Sequence, residues 1–115
     1  MHYKGSCHCG KVAFEVEGEL TGAVACNCSI CSRRGSLLWA VPRDTLLLLT
    51  PEGDLATYTF NTGAIKNRFC ATCGIHAYGE HTDAEGKRSA YVNIRCFESL
   101  DLKSVPVIEF DGASV

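Results

Sequence analysis

No segment of this sequence is apolar for long enough to cross a bilayer. The longest uninterrupted aliphatic run is Leu46-Leu47-Leu48-Leu49, far short of the roughly 20 residues a membrane helix needs. The first residues, Met1-His2-Tyr3-Lys4-Gly5-Ser6-Cys7, lack the apolar centre of a signal peptide, so the expected location is cytoplasmic. Positive charge is not in excess either. Eleven Lys and Arg stand against 13 Asp and Glu, a formal net charge of −2. Proteins that grip a phosphate backbone usually carry a basic patch, so neither nucleic acid nor membrane is expected as a partner. Sustained helical periodicity, repeats, linkers and low-complexity stretches are also missing. What remains is an ordinary globular composition, 46% hydrophobic and 21% charged over 115 residues, read as one domain over residues 1–115. A domain of this size buries only about two-thirds of the surface its unfolded chain exposes, so its core is thin.

The pattern that is present is one of short strands and turns. Val12, Phe14 and Val16 alternate with Ala13 and Glu15, as in a strand with one buried face. Gly18 and Gly22 bracket a turn before a short strand into Cys26. Leu37 to Val41 is apolar and stops at Pro42, which cannot continue a central strand. Leu46 to Thr50, Leu55 to Phe60 and Ile65 to Phe69 are further strands, separated by the turns 51–54 and Asn61-Thr62-Gly63. His76 to Glu80 and Ala90 to Ile94 form a hairpin across a polar loop, and only Ser29–Arg34 and Pro42–Thr45 suit a helical turn. The expected class is all-β with minimal helix, and the tail Asp111 to Val115 is expected to fray.

Against this background eight cysteines stand out. They fall as Cys7-His8-Cys9-Gly10, Cys26-Asn27-Cys28-Ser29-Ile30-Cys31, Cys70-Ala71-Thr72-Cys73-Gly74 and a single Cys96. An even count permits a disulfide scaffold, but a cytosolic protein keeps its thiols reduced. Cysteines one or two residues apart also converge their sulfurs on one point, which suits a tetrahedral metal. Soft thiolates select Zn, Cu(I) or iron–sulfur clusters, and zinc is the expected ion. In a Cys-x-x-Cys-Gly knuckle backbone N–H groups point at the sulfurs and the glycine takes a positive φ. Gly74 and Gly10 fill that place. Cys7, Cys9, Cys70 and Cys73 then make one closed, structural four-thiolate site, a staple for the thin core. Cys26, Cys28 and Cys31 form a second set. Spacing leaves two readings open: a three-ligand zinc with an open fourth position, as in catalytic sites, or a second structural zinc closed by Cys96, His8 or His76.

Gly5-Ser6-Cys7-His8-Cys9-Gly10, Cys26-Asn27-Cys28-Ser29-Ile30-Cys31, Phe69-Cys70-Ala71-Thr72-Cys73-Gly74 and Val92-Asn93-Ile94-Arg95-Cys96 together resemble the glutathione-dependent formaldehyde-activating enzyme family, which also includes centromere protein V. The likeness runs from about Tyr3 to Phe110. It implies several short, coiled antiparallel sheets around two zincs per chain. It implies a structural zinc on Cys7, Cys9, Cys70 and Cys73, and a catalytic zinc on Cys26, Cys28 and Cys31 whose fourth position takes a thiol or water. The implied reaction joins glutathione to formaldehyde, giving S-hydroxymethylglutathione, and is a carbon–sulfur lyase reaction in reverse. A small thiol and a small aldehyde are the implied partners.

Three protein thiolates leave such a zinc site with a net charge of −1, so a neighbouring cation is expected. Arg33 and Arg34 follow the cluster directly and are the candidates to offset it and to bind glutathione carboxylates. A solvated turn is the plain alternative for both. His2, His8 and His81 read as surface, His76 as a strand residue near the structural zinc, and Trp39 and Tyr78 as core. Cys96 reads as an inert thiol sharing a strand face with Ala90, Val92 and Ile94. Two other functions fit the same cysteines: a zinc-stabilised binding module, and a thiol or metal sensor that loads the Cys26 cluster reversibly.

Overall fold

A computed structural model describes residues 1–60 and 62–114. In chain order the strands are β1 (His2–Ser6), β2 (Ala13–Glu17), β3 (Ala23–Cys26), β4 (Leu38–Pro42), β5 (Leu46–Leu48), β6 (Leu55–Tyr58), β7 (Ile65–Cys70), β8 (His76–Thr82), β9 (Arg88–Asn93) and β10 (Val107–Phe110). One α-helix, α1 (Ser29–Arg34), lies between β3 and β4. The protein is mostly β, as its alternating segments and scarcity of helical periodicity imply.

Two sheets result. A three-stranded sheet runs β1-β2-β5, and a seven-stranded sheet runs β10-β3-β4-β9-β8-β7-β6. Every neighbouring pair is antiparallel except β10 and β3, which pair in parallel. Strand β10 was not legible in the sequence, and neither was β1. Pro42 closes β4 opposite Ser89, so it sits at the end of an interior strand, where its missing N–H costs least. The tail does not fray over its described part. Gly112–Ser114 is a 3₁₀ turn, held by a side chain considered below; Val115 lies outside the described residues. In the turn expected at Asn61-Thr62-Gly63, the Gly63 N–H donates to the Phe60 carbonyl at 3.0 Å, while Asn61 lies outside the described residues.

The core forms where one face of each sheet meets the other. Phe14 and Val16 of β2, fully buried, and Leu46 of β5 come from the small sheet; Trp39 and Val41 of β4, Tyr78 of β8 and Val92 of β9 come from the large one. Aromatic rings knit this interface. Tyr3 stacks on Phe97 at 5.1 Å and meets Trp39 edge-on at 5.5 Å, and Phe14 meets Tyr78 edge-on at 6.3 Å. Such edge-to-face and offset pairs are favourable beyond the area they bury. Trp39 and Tyr78 are therefore core residues, as their sequence context indicates. The small sheet is also tied to the segment after β9, through a bridge between Gly5 and Phe97 and a 2.8 Å bond from Glu98 N–H to the Lys4 carbonyl.

Gly5 is there because of Phe14. A Cβ at Gly5 would stand 2.6 Å from Phe14 Cζ, and Phe14 is fixed between Tyr78 and Phe97. Overpacking of this kind costs about 1–3 kcal/mol. Gly5→Ala is expected to lower unfolding free energy by that amount in urea titrations of metal-loaded protein. An unchanged midpoint would show that the Phe14 ring is free to move.

Candidate metal centres and the cavity beside them

The first cysteine cluster brings together two remote turns. Cys7 and Cys9 follow β1, while Cys70 ends β7 and Cys73 follows it. The four sulfurs lie within 4.8 Å of one another, with Cys9 Sγ 3.6 Å from both Cys7 Sγ and Cys70 Sγ. Sulfurs about 2.3 Å from a tetrahedral zinc stand about 3.8 Å apart, so the cluster has the dimensions of such a site. Gly10 and Gly74 have φ of 83° and 80°, a left-handed conformation that costs glycine little. These turns aim N–H groups at the sulfurs: Val12 N–H at Cys7 Sγ (3.3 Å), and Thr72 and Cys73 N–H at Cys70 Sγ (3.4 Å each). Backbone N–H groups of Cys9 and Ile75 hold the Cys73 thiol down at about 6. Donors pointed at sulfur favour thiolate, the form that binds metal.

The second cluster is Cys26 at the end of β3, Cys28 at the start of α1 and Cys31 inside it. One helical turn separates Cys28 from Cys31 and puts both on one side. Burial pushes the Cys31 thiol up to about 12, against the opposing Arg34 guanidinium. As a thiolate it therefore calls for a strong local positive charge. Both clusters could hold a metal ion, and their all-sulfur donor sets fit zinc. Among the described residues neither Cys96 nor a histidine joins the second set, which offers three candidate ligands.

Cys96 lies elsewhere. Strand β9 stops at Asn93, and Ile94–Cys96 turns as a 3₁₀ helix, so the alternation expected to carry Cys96 onto the face of Ala90 and Val92 is broken. Cys96 still packs against the core that contains Ala90, Val92 and Ile94, with its Sγ near the His76 carbonyl (3.5 Å) and the Asn93 amide (3.8 Å). Burial, and then the neighbouring Cys7 and Cys73, push its thiol up to about 11, so it is protonated and unreactive at neutral pH.

Beside the three-cysteine cluster lies a cavity of about 460 Å³. Its floor is one face of the large sheet. Ala40, Tyr91, Gly79 and Asn67 lie in register across β4, β9, β8 and β7, and all four line it. The next row, Trp39, Val92 and Tyr78, faces the core. This division is the two-residue alternation of a strand. A Cβ on Gly79 would stand 3.3 Å from Ile65 Cγ2; the missing side chain is part of what leaves the cavity open. Helix α1 contributes Ile30, Cys31 and Arg34, and β10 contributes Ile108 and Phe110.

Of the two arginines, Arg34 enters the site. Its Nη1 donates to Asn67 Oδ1 at 2.8 Å and its Nη2 approaches Cys31 Sγ at 3.6 Å. Burial lowers its pKa and the cysteine charges oppose that shift, so it remains the cation next to the thiolates. Asn67 is itself fixed, donating to the Tyr58 carbonyl at 3.1 Å. Arg33 turns back to the Ser29 carbonyl at 2.7 Å and borders an adjoining, more open depression that shares Ile30, Arg34 and Phe60 with the cavity. His76 forms part of the cavity wall as well as lying close to the first cluster. Its Nδ1 pairs with Ser36 Oγ at 3.1 Å, and its Nε2 is buried without a partner among the described residues. Burial, and then the charge of Arg34, push His76 down to about 3, so the ring is neutral at neutral pH. His8 and His2 are exposed and His81 is half-buried.

The chain's end closes over the same cluster. Asn27, between two of the cysteines, donates to Asp111 Oδ1 and accepts from Ala113 N–H, each at 2.9 Å. Gly112 is pressed against the cluster: a Cβ there would meet Cys26 Sγ at 2.6 Å. Asn27, Asn67, Gly79 and Gly112 carried no sequence signal, because each acts only through residues distant in the chain.

The chain belongs to the glutathione-dependent formaldehyde-activating enzyme family, whose model matches residues 2–110. Its structure is similar to the crystal structure of a Rhodobacter sphaeroides protein, with a TM-score of 0.77 at 32% sequence identity, covering 91% of this chain and 99% of that one. No helix among the described residues is long and apolar enough to cross a membrane.

The two clusters should differ in metal affinity, since four thiolates hold an ion more firmly than three. Protein purified with zinc is expected to carry two ions per chain. A mild chelator should remove one of them with the far-ultraviolet circular dichroism unchanged. Cys28→Ser should fold with one ion, whereas Cys73→Ser should be largely unfolded, because metal binding at a closed site is part of the folding free energy. A soluble Cys73→Ser protein with normal melting would overturn the assignment of the structural site.

Proposed function

We propose that this protein is a zinc-dependent carbon–sulfur lyase-type enzyme that adds a thiol, with glutathione the thiol of its family, to formaldehyde or another small aldehyde. The observation that carries this reading is the three-cysteine cluster, with no fourth candidate ligand among the described residues, set in the wall of a cavity. A second closed structural site would have neither the open position nor the space. In this reading Cys7, Cys9, Cys70 and Cys73 hold a structural zinc, and Cys26, Cys28 and Cys31 hold the catalytic one. Family membership and the all-thiolate donor sets support it.

The reaction is an addition without redox change. The thiol sulfur bonds to the aldehyde carbon, the carbonyl π bond breaks, and the proton lost by the thiol ends on the oxygen. A zinc ion in the three-cysteine site would supply stabilisation of the substrate sulfur as thiolate, which a free thiol, with a pKa of about 8.5, provides sparingly at neutral pH. The residues of the chain do the rest. With such an ion bound, three protein thiolates and a substrate thiolate would leave a net charge of −2, which Arg34, 3.6 Å from Cys31 Sγ, would offset in part. Asn67 holds the guanidinium in place. The apolar walls keep water from the reacting atoms and strengthen these charge interactions. His76, neutral and buried, shapes the wall without carrying charge.

The test follows exchange between free formaldehyde and its thiol adduct by ¹³C NMR, with glutathione and small synthetic thiols offered in turn. Metal-loaded protein should accelerate exchange with at least one thiol. Cys28→Ser should lose the acceleration, and Cys96→Ala should retain it along with two zinc ions. Rates equal to the protein-free solution for every thiol would overturn the proposal.

A further inference from the structure

We infer that the thiol this cavity selects has an uncharged, apolar body of aryl or branched-alkyl size, and that glutathione is a poor ligand for it. The inference rests on the thiol-adduct reading above and names the substrate class of that same site.

The cavity is large enough for such a ligand. Its roughly 460 Å³ lies within the range of about 300–1,000 Å³ usual for small-molecule sites. Its chemistry is the narrower constraint. The walls reaching outward from the cysteines are Leu38, Ile65, Tyr91, Ile108 and Phe110, with Ala40 and Gly79 making room on the floor. Ile108, Phe110 and Ile65 are 63%, 51% and 41% exposed, an apolar rim that a ligand inside the mouth would cover. Buried apolar contact of this kind is the main source of affinity for an apolar ligand.

Glutathione asks for something else. It carries two carboxylates and an ammonium around its thiol, and each must be paired if it is taken out of water. Among the lining residues Arg34 is the one with a full charge; its Nη1 and Nη2 are committed to Asn67 and to Cys31, and its Nε is buried, with no partner among the described residues. Asn67 spends its amide on Arg34 and the Tyr58 carbonyl. Among the described residues no carboxylate lines the cavity to meet the ammonium. Arg33 opens onto the neighbouring depression and could meet one carboxylate, which leaves the other carboxylate and the ammonium unpaired.

The experiment uses cobalt-substituted full-length protein and compares benzyl thiol with glutathione, read by the sulfur-to-cobalt absorption band and by calorimetry. Benzyl thiol is expected to bind about 100-fold more tightly, in line with the one to two orders of magnitude that burying an aromatic group provides. Benzyl alcohol, which lacks the thiol, should still shift the NMR signals of Ala40 and Tyr91 in zinc-loaded protein. Ala40→Phe projects a ring into the cavity from a strand position that is exposed in the free protein. It should weaken benzyl thiol at least 10-fold while metal content and melting temperature hold. Phe110→Ala, at the rim, should weaken it in the same direction. Should glutathione bind as tightly as benzyl thiol, or should Ala40→Phe keep its metal and fold yet bind benzyl thiol normally, the inference fails and the thiol-adduct reading stands. If no thiol moves the cobalt band, the reading of an open metal position fails first and the inference falls with it.

Discussion

The convergence of four sulfurs from two turns is the constraint on which the rest of this molecule hangs. Cys9 and Cys70 are 61 residues apart, yet their sulfurs stand 3.6 Å from one another. The four sulfurs lie close enough together to share one metal ion. Fixing this point anchors the end of β1 to the end of β7, and so sets the small sheet against the large one. The aromatic contacts among Tyr3, Phe14, Trp39, Tyr78 and Phe97 fill the space enclosed. A short chain with a thin core gains from such a point what a larger domain obtains from buried area alone.

The large sheet then serves two purposes through the alternation of its strands. One row of each interior strand packs into the core and the next row faces the opposite side. On that side a small residue at position 40 and none at 79 leave a hollow, which α1 and β10 wall in. The three-cysteine cluster lies where these walls meet the sheet. Beside it stands the Arg34 guanidinium, which reaches the Cys31 sulfur because it shares the helix with Cys31 and is steadied by Asn67 from β7. The chain's last turn, fastened by Asn27, completes the enclosure.

How far the sequence reaches can be judged from particular residues. The knuckles were legible because their geometry is local. A cysteine pair separated by one or two residues and a following glycine define the turn wherever it sits, and Gly10 and Gly74 adopt the φ this requires. The buried positions Phe14 and Val16 followed from simple alternation, and Trp39 was expected in the core. Strand β10 was not legible, because Val107–Phe110 is exposed along its length and is a strand only through its pairing with β3. Cys96 does pack against the core that holds Ala90, Val92 and Ile94, as expected, but not by strand alternation. Its position depends on a 3₁₀ turn at Ile94 whose N-cap is the Asn93 side chain, which a two-residue period cannot foresee.

The sequence by itself determined the class of fold, the two groups of cysteines that could hold metal, and the family. Each depends on residue types at short, fixed spacing, and short spacing dictates local geometry. Tertiary structure decided which residues surround the second cluster. Sequence adjacency made Arg33 and Arg34 equal candidates, and one helical step of about 100° sends one to the sulfur and the other to the rim of the adjoining depression. The cavity belongs wholly to tertiary structure, since its floor is a row of residues from four strands brought side by side by hydrogen-bond register.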